Sequence, residues 1–183
     1  ALSALEDEGR YLEGTGPLVM DHVNRLAFAC RSPRTDEELV RRWAGELGYR
    51  PVVFTALDAA GAPFYHTNVM LSIGCQVAIV AASAIVPADR ERVLAALAGG
   101  SRALIDIDAA AVTDFAGNML ELRSADGRGV YALSARAERA LSQAARARLV
   151  AGTDQLLPLA IPTIERLGGG GVRCMLAEVF SPT

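Results

Sequence analysis

Four residues with chemically capable side chains recur at a nearly constant interval along the chain. They are a carboxylate, an imidazole, an amide and a thiol: Glu13, His66, Asn118 and Cys174. The intervals between them are 53, 52 and 56 residues. An imidazole can move protons near neutral pH, a thiolate can attack an electrophilic carbon, and a carboxylate can hold a cationic group. If each residue occupies the same place in a repeated unit, this spacing predicts a cysteine-nucleophile site.

The spacing of about fifty residues is explained by a repeated order of secondary-structure elements, although the amino-acid sequence itself does not repeat. Each round reads as two strands joined by a hairpin, then a helix, then a further strand, over about fifty residues. The predicted hairpins are GPLVMDHVNRLAFACRSP (16–33), NVMLSIGCQVAIVAA (68–82) and NMLELRSADGRGVYALS (118–134). The final VRCMLAEVF (172–180) is predicted to begin a fourth round as a strand.

The helices and closing strands complete each round. Thr35 is the expected N-cap of an amphipathic helix within residues 35–49, Pro87 opens a second helix within 87–100, and residues 135–150 form the third. The closing strands are RPVVFTA (50–56), SRALIDI (101–107) and TDQLLPLA (153–160). The pattern predicts an α/β fold built from ββαβ units.

Structural interpretations of the same residues stay open at this point. Cys30 and Cys75 lie in alternating apolar segments and are expected in the core, and His22 is expected in a solvated turn. Cys174 taken alone fits a buried structural thiol, and the glycines at 168–171 fit a flexible linker. These glycines do not make a phosphate cradle, because no Lys-Ser or Lys-Thr pair follows them.

Composition and charge exclude several classes of function. The 183 residues are 51% hydrophobic with a net charge of −3, which suits one globular domain without the basic stripe that binds nucleic acid. The longest apolar run, 77–86, is too short to cross a bilayer. Three cysteines without CxxC spacing or a secretory segment predict a cytoplasmic setting. Two histidines 44 residues apart offer no zinc site, so neither metal nor cofactor is expected.

An ordered set of motifs across nearly the whole chain resembles the guanidino-group-modifying enzymes, the penteins. The motifs are EGRYLEGTG, VNRLAFACRSPRTDEEL, YHTNVMLSIG, FAGNMLEL and GGGGVRCMLAEVF. The family includes arginine deiminase, dimethylarginine dimethylaminohydrolase and the amidinotransferases, and the likeness is strongest to the amidinotransferase-related bacterial hydrolases of citrulline use. The resemblance implies an α/β propeller of five ββαβ units around a short channel that holds the active site.

The same resemblance implies roles for individual residues. Cys174 matches the family nucleophile, His66 the general acid/base, and Glu13 the acid that binds substrate nitrogens. Arg34 in SPRT matches the arginine that grips the α-carboxylate of an amino-acid substrate in related enzymes. Asn118 matches an asparagine that lines the site. The implied partner is therefore a small amino-acid substrate, held without a metal.

The chain departs from the family pattern in two places. Arginine and agmatine deiminases carry an aspartate two positions after the histidine, where this chain has Asn68. A neutral amide there favours a neutral ureido head such as that of citrulline, although Asn68 also fits a turn cap. The chain further starts near the end of an expected earlier unit. We therefore expect 1–183 to be the C-terminal part of a single catalytic domain, an incomplete ring of about three units.

The sequence thus predicts a hydrolase that uses a cysteine to cleave a C–N bond in a guanidino or ureido group, with citrulline as the preferred substrate. Amidinotransferase and arginine or dimethylarginine hydrolase activities are alternatives, because an amine acceptor in place of water would use the same residues. A non-catalytic binding fragment is the alternative of another class. Expected protein partners are a second copy of the chain or the absent N-terminal part.

Overall fold

The computed structural model describes residues 2–99 and 101–178, which fold as nine strands and six α-helices with short 3₁₀ turns. The strands are β1 Val19–Asp21, β2 Leu26–Cys30, β3 Arg50–Phe54, β4 Leu71–Ile73, β5 Val77–Val80, β6 Ala103–Asp106, β7 Leu120–Arg123, β8 Gly129–Ser134 and β9 Gln155–Leu159. The helices are α1 Glu37–Leu47, α2 Pro87–Leu97, α3 Ala109–Thr113, α4 Ala135–Ala140, α5 Gln143–Ala151 and α6 Pro162–Gly168. The 3₁₀ segments are Leu2–Glu8, Thr67–Val69, Ala82–Ala84 and Arg173–Met175.

The strands form three separate sheets with one topology. In the orders β1-β2-β3, β4-β5-β6 and β7-β8-β9, the first strand is antiparallel to the second and the third is parallel to it. A helix precedes each third strand, as a parallel crossover requires. The three predicted strand, strand, helix, strand rounds are therefore confirmed, and the described residues do not close into a ring.

The core runs through the middle strand of every sheet. β2, β5 and β8 are apolar runs without alternation, and their members Phe28, Ile79 and Leu133 are fully buried. Strands of this kind are covered on both faces. Helices α1 and α2 pack against β3, and α5 packs against β6, so the helix of one round covers the closing strand of the round before it. The first strands β1, β4 and β7 lie side by side, which places the segments preceding them near one another.

Helix α1 begins one residue later than the sequence predicted. Asp36, not Thr35, is the N-cap: its Oδ1 accepts a hydrogen bond from Leu39 N–H at 3.0 Å. Thr35 is buried instead and accepts a hydrogen bond from Ser32 Oγ at 3.2 Å. Arg10 forms an ion pair with Asp36 at 2.9 Å. A carboxylate at this end of a helix also faces the positive end of the dipole, which favours Asp over Thr.

Two other predicted elements differ from the structure. The predicted third helix is two helices, because Leu141 is extended and Ser142 caps α5 by accepting a hydrogen bond from Ala145 N–H. The strand predicted over 172–180 is wrong as far as residue 178: it begins with a 3₁₀ turn and continues without regular structure, and residues 179–180 lie outside the described ones. The apolar alternation there has no neighbouring strand among the described residues to pair with.

The structure also shows how far two of the cysteines are buried and whether the described residues offer a membrane-spanning helix or a metal-binding cluster. Cys30 is buried as predicted, but Cys75 is exposed, because it lies in the turn 74–76 that joins β4 to β5. No helix of the described residues is long and apolar enough to span a membrane. Within residues 2–99 and 101–178, no three His, Cys, Asp or Glu side chains cluster closely enough to hold a metal ion.

Candidate active site

The thiol of Cys174 lies between two asparagine amides. Cys174 occupies the middle of the 3₁₀ turn Arg173–Met175 and is exposed. Asn118 contacts it twice: Nδ2 lies 3.2 Å from Sγ, and Oδ1 accepts a hydrogen bond from Cys174 N–H at 3.4 Å. Nδ2 of Asn68 lies 3.9 Å from the same sulfur. The sulfur thus has amide N–H donors from two buried side chains directed at it, a setting that suits a cysteine nucleophile.

The glycines before Cys174 are the backbone against which that thiol packs. A Cβ added to Gly170 would lie 3.0 Å from Cβ and 3.2 Å from Sγ of Cys174. A Cβ added to Gly171 would lie 2.7 Å from Oδ1 of Asn118. Gly169 has φ 67 in the left-handed region and caps α6, a conformation that glycine adopts without strain. A side chain at Gly170 would push against Cys174, and one at Gly171 would displace the Asn118 amide.

Asn118 and Asn68 are both buried and joined to each other. Nδ2 of Asn118 also donates to the backbone carbonyl of Asn68 at 2.9 Å, and Asn68 N–H donates to the carbonyl of Gly16 at 3.1 Å. The side chain of Asn68 makes no cap to its own turn: its Oδ1 is buried and has no hydrogen-bond partner among the described residues. Such an unpaired acceptor costs about 1–3 kcal/mol, a cost that a ligand N–H donor would remove.

A second group of side chains surrounds His66. Its Nε2 lies 3.2 Å from Oε2 of Glu13, and the guanidinium of Arg34 lies 3.6 Å from the same carboxylate oxygen. The backbone holds this group together, because Glu13 N–H donates to the carbonyl of Arg34 at 3.3 Å. A Cβ on Gly16 would lie 2.4 Å from Nδ1 of His66, so the imidazole rests directly on the main chain at that glycine.

Burial lowers the pKa of His66 below its ordinary value. The hydrogen bond with Glu13 and the charge of that carboxylate oppose this shift, and the Arg34 guanidinium adds to it. The ordinary pKa of histidine is about 6.5. The imidazole is therefore mainly neutral at pH 7, which leaves it able to accept a proton.

One short turn brings the two groups together. Thr67–Val69 begins directly after His66 and contains Asn68, so the imidazole of one group and the amide of the other are two positions apart. Thr67 fixes this turn: its hydroxyl donates to the carbonyl of Pro17 and accepts from Cys30 N–H at 2.8 Å. The structure thus places all six predicted side chains in two adjacent contact groups around this turn.

Two further residues were not singled out from the sequence, and one of them, Tyr65, contacts the site. The hydroxyl of Tyr65 donates to the carbonyl of Gly169 at 3.2 Å, and its ring centroid lies 5.1 Å from that of His66. Glu165 on α6 is buried, with Oε1 unpaired among the described residues. The position of Tyr65 directly before His66 was the available signal for the first. A single charged residue in a short helix gave no signal for the second.

A family comparison matches almost the whole chain. The model of the family described as N,N dimethylarginine dimethylhydrolase, eukaryotic, matches residues 1–181. No sequence among the curated proteins matches the chain significantly. The family match covers both contact groups of the site, from Glu13 to Cys174.

Several solved structures share the fold. ArgZ, an arginine dihydrolase from the ornithine-ammonia cycle in cyanobacteria, aligns at TM-score 0.73 and 16% identity over 93% of this chain and 25% of its own. Its N-terminal domain bound to substrate aligns at 0.67 and 16%, over 88% and 54%. SxtG, an amidinotransferase from Microseira wollei in the saxitoxin biosynthetic pathway, aligns at 0.55 and 15%, over 87% and 42%. The chain spans about a quarter to about half of the length of these relatives.

Proposed function

The chain belongs to the N,N-dimethylarginine dimethylhydrolase family of guanidino-modifying enzymes, and on that premise we propose that it hydrolyses the guanidino or ureido head group of an arginine-like amino acid through Cys174. The observation that carries the proposal is the exposed thiol between two buried amides, one short turn from a neutral imidazole paired with a carboxylate. We further propose that the three ββαβ units are consecutive parts of a pentein propeller, with residues 1–183 within its catalytic domain.

The first half of the proposed reaction forms a covalent adduct. Neutral His66 takes the proton of the Cys174 thiol, and the sulfur attacks the planar carbon of the head group to form a sulfur–carbon bond. The carbon–nitrogen bond then breaks, and the imidazolium so formed gives that proton to the nitrogen that leaves as ammonia. The amides of Asn68 and Asn118 hold the head group in line with the sulfur, and the unpaired Oδ1 of Asn68 accepts one of its N–H groups.

The second half releases the product. Neutral His66 takes a proton from water, and the oxygen of that water attacks the carbon attached to Cys174. The sulfur–carbon bond breaks, and the imidazolium of His66 returns its proton to the sulfur. Glu13 keeps the imidazole oriented through its 3.2 Å contact with Nε2. A guanidino substrate thereby yields a ureido product. A ureido substrate yields a carbamic acid, whose remaining carbon–nitrogen bond breaks spontaneously to give the free amine and carbon dioxide.

Charge at the site favours a neutral head group, and we propose citrulline as the preferred substrate. The contacts to Cys174 from Asn68 and Asn118 are neutral amides rather than carboxylates. The carboxylate nearest to His66, that of Glu13, already has the Arg34 guanidinium 3.6 Å away. Neither contact group, as the described residues form it, contains a carboxylate without a partner, so a cationic guanidinium would enter without a charge partner, whereas a ureido group needs only hydrogen bonds.

Arg34 keeps its proposed role as the group that binds the substrate α-carboxylate. Its side chain is 54% exposed, so the Glu13 contact leaves donors free to face solvent. Exposed ion pairs are weak, with a median below about 1 kcal/mol, so a substrate carboxylate can compete for the guanidinium. Loss of that contact in Arg34→Ala is expected to raise KM by the equivalent of about 1.5–3 kcal/mol, with little change in thermal stability.

Ammonia release from citrulline, arginine and dimethylarginine tests the proposal. We expect the highest kcat/KM with citrulline and a shift of about tenfold or more toward arginine in Asn68→Asp, because an ionised aspartate pairs with a guanidinium. Gln143→Glu, which adds the same charge on exposed α5, is the matched control. A preference for arginine that Asn68→Asp leaves unchanged would remove the substrate assignment.

Guanidinium substrates are the second candidate, favoured by the similarity in fold to an arginine dihydrolase and by the family match. The same assay distinguishes them, because arginine or dimethylarginine would then give the highest kcat/KM. Transfer of an amidino group to an added amine, without ammonia, would identify an amidinotransferase. Binding of these amino acids without any product would identify a non-catalytic fragment.

A further inference from the structure

Tyr65 connects the two contact groups of the site at a point separate from the turn that carries His66. Its backbone carbonyl accepts a hydrogen bond from Ser32 Oγ at 2.8 Å, and that Oγ in turn accepts Arg34 N–H at 3.1 Å, which ties Tyr65 to the group around His66. Its hydroxyl reaches across 104 positions of sequence to the carbonyl of Gly169, at 3.2 Å. Gly169 is the first residue after α6 and begins the segment 169–171 that leads to Cys174.

The segment that Tyr65 reaches has few other side-chain contacts to hold it. Three successive glycines, Gly169 to Gly171, carry no side chains of their own, and glycine loses more conformational freedom on ordering than any other residue. Gly170 nevertheless packs tightly against the Cys174 side chain, and Gly171 packs against the Asn118 amide with no room for a Cβ. A small displacement of this backbone would therefore move the thiol away from its amide donors.

We propose that Tyr65 is a positioning residue that holds the glycine segment, and with it the Cys174 thiol, in register with His66. This inference rests on the proposed function, because it assigns a residue to that same chemistry. The phenol has the proton needed for this hydrogen bond, since partial burial and the neighbouring Cys174 raise the pKa of Tyr65. Its ring also faces the ring of His66, and the Arg34 guanidinium lies 5.5 Å from the ring centroid.

The test compares Tyr65→Phe, which removes only the hydroxyl, with Tyr11→Phe. Tyr11 is a matched control because it is 39% exposed against 38% for Tyr65, and its hydroxyl has no hydrogen bond to the described residues. Hydrogen exchange is measured on the peptide that contains residues 169–174, without substrate. We expect exchange about threefold to tenfold faster in Tyr65→Phe, as the loss of one hydrogen bond predicts, and unchanged in Tyr11→Phe.

Steady-state kinetics with the best substrate complete the test. Tyr65→Phe is expected to lower kcat about threefold to tenfold and to leave KM within about twofold, because the thiol is displaced while the groups that bind substrate stay in place. Unchanged exchange, or faster exchange with unchanged kcat, would overturn the role of Tyr65. Failure of the proposed function is a separate result, namely undiminished activity in Cys174→Ser, and the exchange measurement does not depend on it.

Discussion

Asn118 holds Cys174 from both ends of its amide: Nδ2 lies 3.2 Å from the sulfur and Oδ1 accepts the Cys174 N–H at 3.4 Å. Asn118→Asp keeps the shape but replaces the donor by a negative charge, which disfavours a thiolate beside it. We expect alkylation of Cys174 by iodoacetamide at pH 7 to slow about tenfold or more. Gln143→Glu should not change the rate, and an unaltered rate in Asn118→Asp would show that the amide does not stabilise the sulfur anion.

Differential alkylation of the three cysteines is the second prediction. Cys174 is expected to react first in the folded chain. Burial raises the pKa of Cys30 to about 11, so Cys30 should react only on unfolding. Cys75 is exposed, but partial burial and the Glu121 carboxylate raise the pKa of its thiol, so it should react slowly. Peptide mapping after brief labelling measures the order, and labelling of Cys30 or Cys75 before Cys174 would contradict it.

The third prediction concerns the titration of His66. Its pKa in the folded chain should lie below about 6.5, and in Glu13→Gln it should fall further, because Glu13 is the group that raises it. NMR titration resolves this directly, since the chain has two histidines and His22→Gln assigns the other signal. The acid limb of kcat/KM should move to lower pH in Glu13→Gln. A rise in the pKa of His66 in this variant would mean that the carboxylate does not act on the imidazole.

The same shift fixes the sign of a stability effect. Because the folded pKa of His66 is lowered, the unfolded chain binds a proton first as the pH falls below about 6.5. The neutral imidazole therefore contributes its full stability above about pH 6.5. This contribution declines as the pH falls from that value to the pKa of His66 in the folded chain, and it is absent at lower pH. The difference in unfolding free energy between the chain and His66→Gln should decrease over this interval, as measured by urea denaturation.

The glycine segment gives a fourth prediction through a matched pair. Gly171→Ala places a methyl group 2.7 Å from Oδ1 of Asn118, whereas Gly168→Ala has only Ile164 Cγ2 nearby, at 3.7 Å. The first variant should displace the amide and lower both activity and Cys174 alkylation, and the second should leave both unchanged. Equal effects of the two substitutions would mean that the segment acts only as a flexible linker.

The sequence predicted the three sheets because apolar runs with hairpin turns determine their own pairing. The buried strands β2, β5 and β8 and the turn at 124–128 are local features of this kind. It could not predict the segment after Gly171 correctly: the alternation there is typical of a strand, but Cys174 N–H binds the side chain of Asn118, 56 positions away. The conformation of that segment therefore depends on contacts between residues that are distant in the sequence.

The same distinction applies to the candidate site. The repeat interval predicted that Glu13, His66, Asn118 and Cys174 would lie near one another, because first strands of successive units are neighbours. It could not show that Arg34 contacts the Glu13 carboxylate, or that Tyr65 reaches Gly169. Those contacts depend on the conformations of loops, which the spacing of apolar residues and of the repeat does not predict. The exposure of Cys75 was missed for the same reason, since its apolar neighbours belong to strands and it belongs to the turn between them.

Mass spectrometry of the protein quenched during turnover tests whether Cys174 is the nucleophile. The protein is mixed with citrulline or arginine, denatured in acid within the lifetime of the intermediate, and digested. We predict a substrate-derived adduct on the peptide that contains Cys174, absent in Cys174→Ser and formed much more slowly in His66→Gln, where no imidazole transfers protons. Turnover by the unsubstituted protein without an adduct on that peptide, or with an adduct on Cys75 instead, would contradict this assignment.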